Sequence, residues 1–600
     1  MKFFPLLSFL LFSLVGFAQV PVIQWAKCLG GSAADAPNQI IQTSTGGYVI
    51  AGYSASADGD VTGHHGGYDY WIVKLSSSGN LIWQKSLGGT NSEQARSIVE
   101  CNDGGYAIAG TSSSNDGDVT GNHGQSDYWI VKLSPNGNLV WQKSFGGSNE
   151  DYASSIINTI DGGFLVAGST ASNDGDVISN NGSYDIWLVK LNANGNLQWQ
   201  KTIGSNHVES AKEIYRSQNG RYLLAYDSLG YPWSYSARGK VIKMDSLGNI
   251  EWKKGVAAGI RPWDIQETLD GELCLASTDW GNICNYYYYG GQTYIMISKS
   301  DTSENFAWGE MMGGKLENTA EDILQTSDLG FIVAGGTRFT ACNVDTNYGE
   351  LDYWLIKLRC DGEVLWQKSL GGSDDDNAST IVQSVDGGFV VAGSTLSNDV
   401  NVTGNHGGYD FWIVKLSSGV VCLAPDSIYV SNITSFSAKL HWTVEDCAFG
   451  YRIQYRPVGS PTWVSKNQNN NVGQKNIIGL LPNTTYQWRV RTKCSNDPLQ
   501  YSTNTTIQTF TTLMRLSDVE EEPITFSFFP NPFTNSATIS INLEGNFDFI
   551  LSDVFGREVF KSQILNSKSQ IERGNLSSGI YFYRIMEEGK MIGSGKVVIE

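Results

Sequence analysis

Between residues 22 and 420 the chain is written in short apolar runs, rich in Val, Ile, Trp and Tyr, separated by clusters of Gly, Asn, Asp and Ser. One stretch shows the grammar: ARSIVEC at 95–101, GYAIAGT at 105–111, DYWIVKL at 127–133 and NLVWQKS at 138–144. Short β-branched and aromatic runs bounded by turn residues predict strands. Asn-Asp-Gly-Gly at 102–105 and Pro-Asn-Gly at 135–137 are hairpin signals, because their glycines accept the positive φ of a tight turn. No segment keeps a helical period for more than two turns. An all-β fold is expected.

The pattern repeats. LIWQKSLGGT lies at 81–90, LVWQKSFGGS at 139–148, LQWQKTIGSN at 197–206 and VLWQKSLGGS at 364–373, with a first copy, IQWAKCLGGS, at 23–32. The anchoring tryptophans, Trp25, Trp83, Trp141, Trp199, Trp252, Trp308 and Trp366, are spaced by 58, 58, 58, 53, 56 and 58 residues. A sustained period of this size signals a repeat architecture, and four antiparallel strands per repeat is the grammar of a β-propeller blade. The first three strands occur seven times, the last set ending at Leu416 without a fourth, while a lone fourth-type strand lies from Val22 to Cys28. A seven-bladed propeller over 22–420, closed by that N-terminal strand, leaves no sheet edge unpaired. Trp71, Trp129, Trp187, Trp354 and Trp412 recur at one place in the third strand, which predicts packing. Asp69, Asp127, Asp185, Asp352 and Asp410 precede those strands and are expected to accept turn N–H groups.

Three resemblances follow from motifs. DGGYAIAG (103–110), DGGFLVAG (161–168), DGGFVVAG (386–393) and the near copy TGGYVIAG (45–52) resemble the DGG-x-x-x-AG signature of secreted propeller families, which implies the fold and no particular activity. SAKLHWTV (437–444), GYRIQYRP (450–457) and GLLPNTTYQWRVRTKC (479–494) resemble a fibronectin type III domain over 422–513. The resemblance implies a β-sandwich with Trp442 buried and Leu481, Pro482 and Tyr486 near its tyrosine corner. After an acidic linker at 514–523, the motifs FFPNPF (528–533), SDVFGREV (552–559), LSSGIYFYRI (576–585) and GKVVIE (595–600) resemble the type A C-terminal sorting domain of the type IX secretion pathway. That resemblance covers 524–600 as a small C-terminal β-sandwich. It implies export by the type IX machinery and a place in the medium or on the outer-membrane surface of a Gram-negative cell.

The beginning of the chain agrees with export. Lys2, the apolar run Phe3 to Phe17 and the small residues Gly16 and Ala18 read as a signal peptide over 1–18, and no later run is long enough to span a membrane. A net charge of −19 and a pI near 4.8 argue against nucleic acid and anionic membranes as partners. Nine cysteines in a secreted chain admit disulfides and leave at least one unpaired or in an intermolecular bond. Cys447 and Cys494, expected at the same end of the sandwich, form the first candidate pair, with Cys422 as a competitor. Cys284 and Cys342 form the second.

No HExxH, GxSxG or P-loop sequence occurs, so no catalytic residue is assigned. His65, His123 and His406 take the same place in three loops, which favours a repeated loop contact over shared zinc ligation. Asp58, Asp60, Asp116, Asp118, Asp174 and Asp176 form three Asp-Gly-Asp turns that could hold calcium, although Asp-Gly commonly serves a turn alone. The loops of the fourth to sixth repeats depart from the pattern and gather aromatics: Tyr231, Trp233, Tyr235, Trp280, Tyr286, Tyr287, Tyr288 and Tyr289. Rings beside acids suit a glycan or an extracellular protein. A non-catalytic surface-binding protein is the expectation. The alternatives are a structural component of the cell surface, or a propeller-type hydrolase or lyase using Asp279, Asp345 or Glu350.

Overall fold

The computed structural model describes residues 20–217, 219–229, 238–255, 261–280, 293–301, 306–313, 316–340, 344–419, 423–445, 447–496, 499–515 and 523–600. The signal-peptide segment lies outside them. Every regular element among the described residues is a strand, and none of these residues forms a helix long and apolar enough to cross a membrane. The chain divides into two compact units, one holding the repeats and most of the 438–510 region, the other dominated by residues 511–600.

In the first unit the repeats form seven open four-stranded antiparallel sheets among the described residues. The second repeat is representative, with strands Glu93–Glu100, Tyr106–Ser112, Asp127–Leu133 and Leu139–Phe145 in sequence order. The seventh sheet takes its fourth strand from the start of the chain: Ile23–Leu29 pairs antiparallel with Asp410–Leu416, Cys28 opposite Trp412.

The repeat signature has a physical explanation. The aspartate of DGG reaches the lysine of the third strand, as in Asp103–Lys132 at 2.9 Å, Asp161–Lys190 at 2.9 Å and Asp386–Lys415 at 2.6 Å. These lysines are buried, so each needs a counter-charge beside it. The glycine of AG lies against the bulged first strand, where a Cβ on Gly110 would stand 2.0 Å from the Gln94 carbonyl oxygen. Only glycine lets the two backbones meet.

Neighbouring sheets are stitched by hydrogen bonds. The Tyr70 hydroxyl donates to the Trp129 carbonyl at 2.8 Å, and Tyr128 repeats the contact to Trp187 at 3.0 Å. Ile98 N donates to Gln39 Oε1 at 2.6 Å and Ile156 N to Ser97 Oγ at 3.1 Å. The same contacts join the seventh sheet to the first: Ile40 N to Thr380 Oγ1 at 3.4 Å, Val385 N to Gln42 Oε1 at 3.1 Å, and Asp35 N to the Tyr409 carbonyl at 2.6 Å.

The first unit also contains two further antiparallel sheets between Ile428 and Thr511, with Trp442, Ile453, Trp488 and Val490 buried. Cys447 is disulfide-bonded to Cys360, 87 residues earlier. This corrects the expected Cys447–Cys494 pair. The sequence placed both cysteines at one end of a sandwich, but only the folded chain brings the turn of the sixth repeat, where Cys360 sits, beside Cys447. Cys494 is also disulfide-bonded. Cys284 and Cys342 lie outside the described residues.

The C-terminal unit is a pair of antiparallel sheets of three and four strands over residues 526–599. Ile539, Phe549, Ile585 and Val597 are fully buried in its core.

Candidate functional site

A bulge interrupts the first strand of each repeat at one place, for example between Ala95 and Ser97 and between Ala320 and Asp322. An extra residue at a bulge re-aims the side chains beside it. These strands converge on a cavity with two adjoining lobes, about 480 Å³ and about 290 Å³, that share Asn38, Arg96, Trp263, Glu321 and Ser379 as walls. The larger lobe adds Lys212 and Ser154, and the smaller adds Glu213, Asp264 and Asp322.

The electrostatics of the smaller lobe are unusual. Burial pushes Glu213 up to about 8 and Glu321 up to about 7, because a carboxylate loses hydration there. Burial, and then the charges of Asp322 and Glu213, hold Asp264 well above the usual carboxylate range, and burial also raises Asp322. Ser155 Oγ donates to Glu213 Oε1 at 2.9 Å. Asp264 Oδ2 accepts from Ile323 N at 3.0 Å, and Asp322 Oδ2 from Ile381 N at 2.8 Å. On the other side, Lys212 Nζ pairs with Asp227 at 3.4 Å and lies 4.8 Å from the Trp263 ring centroid.

A pH dependence follows. An acid whose folded pKa lies above its unfolded value near 4.5 favours the folded state fully below that value, and the contribution disappears as pH rises through the folded pKa. For Glu213 and Glu321 the window runs from about pH 4.5 to 8. The repeat unit is expected to melt higher at pH 5 than at pH 8. Glu213→Gln should recover roughly 1–2 kcal/mol at pH 8. Thermal melts of both proteins at the two pH values check this, and identical pH profiles would refute it. Asp161, held down to about 2 by its lysine despite burial, titrates below this window.

The residues singled out from the sequence fare differently. Tyr231, Trp233, Tyr235, Tyr286, Tyr287, Tyr288 and Tyr289 lie outside the described residues. Trp280 ends the strand Leu273–Trp280. Of the acids considered for hydrolysis, Glu350 pairs with Arg338 at 2.8 Å. The Asp-Gly-Asp carboxylates bracket turns: Asp58 accepts from Ser32 N at 2.7 Å, Asp116 from Thr90 N at 2.8 Å and Asp174 from Ser148 N at 2.7 Å. Asp60, Asp118 and Asp176 face Gly30, Gly88 and Gly146 N at 3.4, 3.3 and 3.2 Å. His65, His123 and His406 repeat one loop contact, Nδ1 to Asp69 at 2.9 Å, Asp127 at 2.7 Å and Asp410 at 2.7 Å, and the Nε2 atoms of His65 and His123 lie 3.7 and 3.8 Å from Asp118 and Asp176 of the following repeats. Among the described residues, no three His, Cys, Asp or Glu side chains gather to hold a metal.

Sequence reasoning missed the cavity residues, although a signal was present. Gln39, Ser97, Ser155, Glu213, Asp264, Asp322 and Thr380 occupy one repeat position, just before a conserved-type isoleucine in each copy. Reading that column would have shown three acids in succession.

Residues 527–600 match the secretion system C-terminal sorting domain family. The chain therefore carries the export signal of type IX cargo and is a secreted or cell-surface protein. A curated relative, the regulatory protein FlaEY of Caulobacter vibrioides, is 27% identical over 412 residues, spanning 58% of this chain and 41% of the relative. The chain thus spans less than half of that relative's length. Among solved structures, a protein of unknown function from Bacteroides caccae aligns at 11% identity, covering 51% of this chain and 92% of its own, with a TM-score of 0.31. The third fibronectin III domain of the human KIAA0343 protein aligns at 19% identity over 16% of this chain and 86% of its own, with a TM-score of 0.15.

Proposed function

We propose that the protein is a non-catalytic binding protein, displayed on the outer-membrane surface or released after export, whose repeats form a seven-bladed β-propeller that contacts a glycan or an extracellular protein. The propeller reading is supported by the hydrogen bonds that link the seventh sheet to the first and by the N-terminal strand in the seventh sheet. The single observation that carries the binding reading is the joining of a sorting domain to a repeat array that departs from its own pattern in one sector. Repeats four to six replace the common loop with aromatics, and they line the cavity with charge. Structural economy would have kept the repeat. The 422–513 region acts as a spacer between this surface and the sorting domain.

The test applies the secreted protein to a panel of insoluble polysaccharides and matrix proteins, scoring retained protein and released sugar ends together. Retention on one ligand without release, weakened at least ten-fold by Trp280→Ala, is expected. Release of sugar ends would show an enzyme instead, and absence of retention throughout would favour a structural component of the cell surface.

A further inference from the structure

The charges in the cavity exceed what the fold requires. Gln39 and Thr380 accept the neighbouring sheet's backbone N–H with neutral side chains, and Asp264 and Asp322 perform the same task with carboxyl groups. Serine suffices at position 97, where Ser97 accepts from Ile156 N. At the bulge, Asn38, Ser154 and Ser379 are neutral, whereas Arg96, Lys212 and Glu321 are charged.

The charges also do not neutralise one another. Among the described residues no lysine or arginine is ion-paired with Glu213, Asp264 or Asp322. Among the described residues the Arg96 guanidinium hydrogen-bonds to neutral amide oxygens, Gln94 Oε1 at 2.8 Å and Asn38 Oδ1 at 3.5 Å. Lys212 already has Asp227. One cavity therefore holds an acidic lobe without a cation and, in the wall shared by both lobes, a guanidinium without a carboxylate. Carboxyl groups that gain from a nearby cation, and a guanidinium lining the same partly enclosed polar space, complement a dipolar ligand. A guanidinium offers two parallel N–H donors to a carboxylate, and an ammonium offers three donors to surrounding carboxyl oxygens. A pair of lobes of about 480 and 290 Å³ is on the scale of small-molecule sites.

We propose that this cavity binds a free α-amino acid, its ammonium group among Glu213, Asp264 and Asp322 and its carboxylate on Arg96. The side chain of the ligand occupies the larger lobe, beside Trp263. Binding returns a counter-charge to the acidic lobe, so the three carboxyl groups ionise more readily in the complex.

Calorimetric titration of the secreted chain with the twenty amino acids at pH 7 tests the assignment. The N-acetylated forms, a primary amine without a carboxylate and a monosaccharide serve as comparisons. At least one free amino acid is expected to bind, and its N-acetylated form and the plain amine at least ten-fold more weakly. Arg96→Gln should weaken binding at least ten-fold without changing the melting temperature, because Arg96 is exposed. Glu213→Gln should weaken it similarly. If that variant fails to fold, Arg96→Gln and the N-acetyl comparison decide. Binding by no amino acid, undiminished binding of the N-acetylated form, wild-type affinity in Arg96→Gln, or preference for the monosaccharide would each overturn the proposal. Retention on the polysaccharide and protein panel is a separate readout, so a negative titration leaves the surface-binding reading standing.

Discussion

Removing residues 527–600 is expected to lower the protein outside the cell at least ten-fold, with the truncated chain accumulating inside the outer membrane. The matched sorting family covers those residues, and they contain their own paired sheets and buried core of Ile539, Phe549, Ile585 and Val597. Their loss takes no strand from the seven repeat sheets. Failure of export would therefore report a missing address rather than an unfolded cargo. Immunoblots of medium, surface and periplasmic fractions read the distribution, and a protease-resistance pattern matching the full chain over 20–510 confirms folding. Equal amounts of folded truncated and full-length protein in the medium would show that export is directed from elsewhere.

The second large effect concerns the repeats themselves. Trp129→Ala should destabilise the repeat unit by about 3–5 kcal/mol, the cost of emptying a well-packed aromatic site. The Trp129 side chain is fully buried. Its Nε1 donates to Gln142 Oε1 at 2.8 Å, and its ring lies 4.5 Å from that of Tyr70, centroid to centroid. The Tyr70 hydroxyl in turn donates to the Trp129 carbonyl across the sheet boundary, so the vacancy loosens two sheets at once. Truncation also strands the Gln142 amide oxygen. Trp141, in the fourth strand of the same repeat, is only half-buried and rests on the turn at Gly195. Trp141→Ala should therefore cost about 1 kcal/mol. Urea titrations of the two variants give the comparison. Equal losses would mean that the third-strand tryptophans are not the principal packing element.

The two tryptophan series show where sequence reading reached and where it stopped. Periodicity identified both sets as architecture, because a side chain repeated at a fixed interval must repeat an environment. It did not rank them. That ranking depends on which face of each sheet meets the next sheet, a property of stacking that strand alternation alone leaves open. The same limit explains the cysteines. Cys447 pairs with Cys360 because a turn of the sixth repeat comes within bonding reach, and a separation of 87 residues carries no trace of that approach.

The sequence by itself determined the strands, their grouping in fours, the borrowing of the N-terminal strand by the last repeat and the presence of the C-terminal sorting domain. Each is written in local terms: apolar runs, turn residues at fixed offsets, a period near 58 and contiguous motifs. Tertiary structure alone decided the cavity. Arg96, Glu213, Asp264 and Asp322 are far apart along the chain and individually ordinary. They become one site only because the first strands of successive sheets converge, and the raised pKa values of the three acids arise from the water excluded around them. Desolvation depends on what surrounds a group on every side, and for these residues the surroundings come from sheets many tens of residues away.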